Sequence, residues 1–125
     1  MNSEDVKTKI STLWIFIMIN MLAADIYGFM LPGALQEIID NTLGITAEFL
    51  LIPAVMIEVP IAMIFLSRVL KYKQNRLANI IAVAINLFFV LGLGPSTIVY
   101  YFFVALEVVA MLLIVWLAWK WPKQE

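Results

Sequence analysis

Residues 68–76 read Arg68-Val69-Leu70-Lys71-Tyr72-Lys73-Gln74-Asn75-Arg76, and this stretch decides the fold. It holds four of the eight Lys and Arg residues of the chain. On each side of it lies an apolar run without a basic residue, long enough to cross a bilayer. The other four basic residues are Lys7, Lys9, Lys120 and Lys123, near the two ends of the chain. The turns around Pro32-Gly33 and Gly94-Pro95 carry none. Short loops rich in Lys and Arg stay on the cytoplasmic side of a membrane. The pattern therefore predicts an all-α integral membrane four-helix bundle in the cell membrane, with both termini cytoplasmic. All four Trp residues, Trp14, Trp116, Trp119 and Trp121, gather at the same inner boundary, where interfacial anchors belong.

Composition agrees. Of 125 residues 64% are hydrophobic, and mean hydropathy is +0.99. A water-soluble domain of this length would need a more polar exterior, so the outside must face lipid. A net charge of −1 gives no basic footprint for nucleic acid. The chain has no Cys, which removes disulfides, thiol redox chemistry and thiolate metal sites. It has no His, the commonest zinc or haem ligand and the usual base near neutral pH. No cofactor is implied, and acid–base work is left to carboxylates, Tyr or Lys.

Within a single transmembrane domain covering residues 1–125, the spans are expected at about 10–30, 47–70, 77–92 and 97–119. The first resembles a signal peptide in following Lys7 and Lys9, but it ends at Met21-Leu22-Ala23-Ala24 without a small-x-small cleavage pattern, so it reads as a retained span. After the Pro32-Gly33 turn, Leu35, Ile38, Ile39 and Leu43 share one helical face, which predicts an interfacial helix over about 34–43. Thr46 is the expected N-cap of the second span, and Pro53 and Pro60 are each expected to kink it.

Three acids, Asp25, Glu58 and Glu107, lie inside these spans with no basic residue there to pair with. At about 1.5 Å of rise per residue, Asn20, Glu58, Asn86 and Glu107 fall roughly 12 to 17 Å from the cytoplasmic end of their spans, with Asp25 further out. Spacing suggests which faces turn inward. Tyr100, Phe103, Glu107 and Met111 form one stripe, and Asn75, Asn79, Ala82 and Asn86 another. Ala78 and Ala82 allow close helix approach, and Asn20 and Tyr27 are two turns apart. An acid at the bilayer centre costs roughly 2.5 to 3.5 kcal/mol on insertion scales. Such groups must be protonated, share protons, or bind a cation from outside. The bland alternative is interhelical glue, which suits the Asn residues better than the acids.

Several segments resemble an uncharacterised family of small four-span bacterial and archaeal membrane proteins in the DoxX-like neighbourhood. They are residues 11–16, Ala24-Asp25, Glu58-Val59-Pro60-Ile61-Ala62-Met63, Leu66-Ser67-Arg68-Val69-Leu70, Asn75-Arg76-Leu77-Ala78-Asn79-Ile80 and residues 116–121. The resemblance implies a four-helix membrane bundle and brings no activity. A weaker similarity is to the sterol isomerase and sigma-2 receptor group, in which Asp25 and Glu58-Val59-Pro60 would correspond to acids lining a pocket for cationic amphiphiles or sterols.

The leading expectation is a protein that binds or transports a small cation, a proton or an amphiphile. Glu58 and Glu107 are its expected ligands, Asn20 and Asn86 its orienting groups, Asp25 its outer acid, and Tyr27, Tyr100 and Phe103 an aromatic lining for an organic cation. An isomerase-like enzyme acting on a membrane-soluble substrate is a second reading. The third is an accessory or scaffold protein whose polar layer only specifies helix pairing. Association into a homodimer is compatible with all three.

Overall fold

The computed structural model describes residues 2–122. Among them are five helices and no strand: α1 (Ser3–Phe29), α2 (Ala34–Asp40), α3 (Leu51–Val69), α4 (Tyr72–Gly92) and α5 (Ile98–Lys120). Four of these, α1, α3, α4 and α5, are long and apolar enough to cross a membrane. They form a ring in which α1 packs on α3 and α5, and α4 packs on the same two helices. The start of α1, the α3–α4 turn and the end of α5 share one end of the bundle, which also holds the described Lys and Arg residues. We call it the basic end, and the opposite one the distal end.

Two helices begin earlier than the hydropathy suggests, each for a local reason. Asn2 caps α1 by accepting a hydrogen bond from the Asp5 backbone N–H at 2.8 Å. Glu4 and Asp5 then occupy a first turn that favours acids. At α4 the expected six-residue polar loop shrinks to Leu70-Lys71, because its polar side chains are used inside the bundle. Asn75 Nδ2 donates to the Ser67 and Leu70 carbonyls at 2.8 and 3.1 Å, which closes the end of α3. Arg76 Nε donates to the Ala118 carbonyl at 2.7 Å and so ties α4 to α5.

The second span starts later than expected, at Leu51. Thr46 Oγ1 accepts from the Phe49 N–H at 3.1 Å, but it caps a turn that precedes the helix. Pro53 is the third residue of α3, where a helix N–H has no intrahelical partner anyway, so only Pro60 interrupts the interior. The segment expected at 34–43 forms the shorter α2, which starts after Gly33 at φ 84°. Asn41 ends it in the left-handed region at φ 49°, a conformation Asn tolerates.

The core contains Val6, Ile10, Trp14, Ile17, Met63, Val83, Met111 and Ile114. Trp14 corrects the picture of four interfacial anchors. It is fully buried, and its indole N–H donates across the bundle to Asn79 Oδ1 at 2.7 Å. Trp121 is also buried, edge-on to Tyr72, whereas Trp116 and Trp119 face outward. An indole that finds both a cavity to fill and an acceptor gains more inside than at an interface.

Candidate functional site

The distal half of the bundle holds a cavity of about 200 Å³ between all four long helices. Met21 and Asp25 of α1, Pro53 and Ile57 of α3, and Phe89 and Val90 of α4 contribute to its wall. Tyr100 and Glu107 reach it from α5, and Gly94 and Pro95 from the turn before α5. A second cavity of about 320 Å³ lies between α1, α2 and the start of α5. Ala24, Asp25, Pro95 and Tyr100 line both, so Asp25 and Tyr100 stand where the two meet.

The position of Tyr100 is set by its surroundings. Thr97 caps α5 by accepting from the Tyr100 N–H at 3.2 Å. The phenol then folds back and donates to the Val90 carbonyl, near the end of α4, at 2.8 Å. The ring lies directly over Gly94, where a Cβ would overlap the phenol oxygen and Cζ. A side chain at position 94 would therefore displace the Tyr100 ring.

Glu107 is the buried acid. It is 1% exposed, and its Oε1 has no hydrogen-bond partner among the described residues. Asn86, also 1% exposed, shows the same deficit at Oδ1. Its Nδ2 makes a contact of 3.4 Å with the sulfur of Met111, one helical turn from Glu107. Two buried acceptors without donors thus lie on the packed pair α4 and α5. Left empty, such groups each cost roughly 1 to 3 kcal/mol, more when charged. A guest that brings hydrogen-bond donors, or positive charge, removes that cost.

Of the acids expected in the core, only Glu107 is buried. Asp25 is exposed yet lines both cavities. Glu58 is exposed on α3, because Pro53 and Ile57 are the residues that helix turns to the cavity. Asn20 is buried, but its Nδ2 donates to the Phe16 carbonyl of its own helix at 2.8 Å. Tyr27 is exposed and pairs with Phe103 at 5.6 Å between ring centroids, beside a groove on the outside of α1 and α5. The expected aromatic lining thus reduces to Tyr100, joined by Phe89. Spacing alone missed Phe89 and Gly94, which matter only once α4 and α5 are packed. The stripe Asn75, Asn79, Ala82 and Asn86 is buried throughout.

A model for a family of unknown function, DUF6326, matches residues 2–125. The chain belongs to that family. Membership of DUF6326 brings no activity with it, and the match shows no link to the DoxX-like or sterol isomerase groups. No curated protein and no solved structure matches the chain. For this DUF6326 member, function has to be argued from the distal cavity itself.

Proposed function

We propose that this protein binds a small membrane-soluble amphiphile or cation in the distal cavity, with the positive, donor-bearing group of the guest against Glu107. One observation carries the reading: a carboxyl buried to 1% exposure, with an unpartnered oxygen, in the wall of a cavity of about 200 Å³. Pockets that bind small molecules are mostly apolar with a few convergent polar groups, and this one follows that pattern. Asp25 serves as a second acid at the mouth. Tyr100 offers an aromatic face to a cationic head, and Asn86 orients Glu107 through the neighbouring turn of α5. The distribution of Lys and Arg supports an orientation with both termini in the cytoplasm, which turns the cavity toward the outer leaflet.

Native mass spectrometry of the gently solubilised protein tests this. Wild type and Glu58→Gln should both carry a guest of the same mass, and Glu107→Gln should lose it. An empty wild type, or a guest retained by Glu107→Gln, overturns the reading. Glu58→Gln serves as the control, since Glu58 is exposed on α3 and does not line the cavity.

A further inference from the structure

Glu58 sits eighth in the nineteen residues of α3, in the middle of the span, and it is exposed. Around it the helix presents an outward stripe. Leu51, Val55, Ile61, Phe65 and Val69 are all exposed, at one and two turns from Glu58 or a turn beyond. Ala54 and Ala62, four residues before and after Glu58, are exposed as well. Of the four long helices, α3 is the least buried. An acid in this position cannot simply face lipid, where its insertion costs roughly 2.5 to 3.5 kcal/mol. Something has to cover it and answer its hydrogen bonds.

This chain offers one group suited to do so. No Lys or Arg lies between residues 10 and 67 or between 77 and 119, so no other face brings a cation to mid-span. The mid-span amides Asn79 and Asn86 are buried. Asp25, Tyr27 and Tyr101 are exposed only near the distal ends of α1 and α5. What remains is Glu58 of a second copy. Two copies inserted in the same direction are related by a two-fold axis along the membrane normal, which sets identical residues of α3 opposite each other at equal depth. A protonated carboxyl both donates and accepts, so it is its own complement across such an axis. Ala54 and Ala62, above and below it, let the two backbones approach closely.

We propose that α3 is a homodimer interface centred on Glu58, in which the two carboxyls pair across a two-fold axis. The interface is separate from the distal cavity and does not depend on what that cavity binds.

Because the chain has no Cys, single cysteines report the contact without background. Under mild oxidation in native membranes, Ala62→Cys should give a disulfide-linked dimer as the main product. Leu112→Cys, on the outward face of α5, should stay monomeric. Placing Glu58→Leu in the Ala62→Cys background should lower the dimer yield about fivefold, the scale of one interhelical hydrogen bond in a bilayer. Glu58→Gln should retain the yield, because an amide also donates and accepts. The proposal is overturned by a monomeric Ala62→Cys, by equal crosslinking at Leu112→Cys, by a different protein captured at position 62, or by a yield indifferent to Glu58→Leu.

Discussion

Asn79 and Asn86 lie two turns apart on the same buried stripe of α4, yet their surroundings differ in kind. Asn79 uses its whole amide. Nδ2 donates to the Asn75 carbonyl and to Asn75 Oδ1 at 2.8 and 2.7 Å, while Oδ1 accepts from Trp14 and from Ser67. The basic end holds a second set of bonds at Ser11, whose hydroxyl donates to the Ile64 carbonyl and accepts from Arg68 Nε. Asn86, by contrast, has one weak contact to sulfur and an unpartnered oxygen, and on α5 Glu107 Oε1 also lacks a donor. The difference separates two uses of buried polarity. A fully connected network specifies how helices pair, whereas on the proposed reading the incomplete one is left for a guest to answer.

If that division is right, the basic end should suffer most when cut. Replacing Asn79 by Leu strands the Trp14 indole N–H and removes the acceptor of Ser67. We expect a loss of about 3 kcal/mol, from one or two orphaned buried donors together with a bulkier side chain in a packed core. Thermal or denaturant unfolding in detergent micelles reads this directly. A loss below that of any distal substitution would erase the distinction between the two layers.

Gly94→Ala comes next. The new methyl would occupy the space of the Tyr100 phenol, so the ring must move and give up its bond to the Val90 carbonyl. The cost should be about 2 kcal/mol, typical of overpacking combined with a lost hydrogen bond. Since Tyr100 lines both distal cavities, the guest expected in native mass spectrometry should be lost as well. In Tyr100→Phe only the hydroxyl is missing, and about 1 kcal/mol should go. If Gly94→Ala proves as mild as Tyr100→Phe, the close approach over Gly94 does not fix the ring.

Much of the architecture was legible in the sequence, and the reasons are physical. Long apolar runs broken by Pro32-Gly33, Lys71-Tyr72-Lys73 and Gly94-Pro95 leave little freedom about the number of spans. The Asn stripe of α4 was legible too, because helical periodicity alone puts residues 75, 79, 82 and 86 on one face. Rotation about the axis of α3 was harder to read. That span is apolar on every side and carries no internal polar stripe, so Glu58 could be placed inward or outward with equal warrant from its sequence. Packing against α1 and α4 settles it through Pro60, Met63 and Ser67, the buried residues of the helix. Trp14 illustrates a different gap. Position near the basic end argued for an interface, whereas the packed structure buries the indole and gives its N–H the Asn79 acceptor.

The smallest effect is the sharpest test of the comparison. Asn86→Val removes the amide nitrogen from its contact with Met111, and in the same change removes the orphaned Oδ1. A weak donor-to-sulfur contact is lost, an unmet acceptor disappears with it, and Val exceeds Asn only modestly in volume. The two contributions oppose each other, so stability should change by about 0.5 kcal/mol or less, against about 3 for Asn79→Leu. Guest retention should fall even so, because Glu107 loses the polar group that holds the adjacent turn of α5. A stable variant with an emptied cavity would show that Asn86 serves binding rather than folding. A destabilisation equal to that of Asn79→Leu would make the whole α4 stripe a single structural device, and the distal deficit of donors would lose its meaning as the mark of a site.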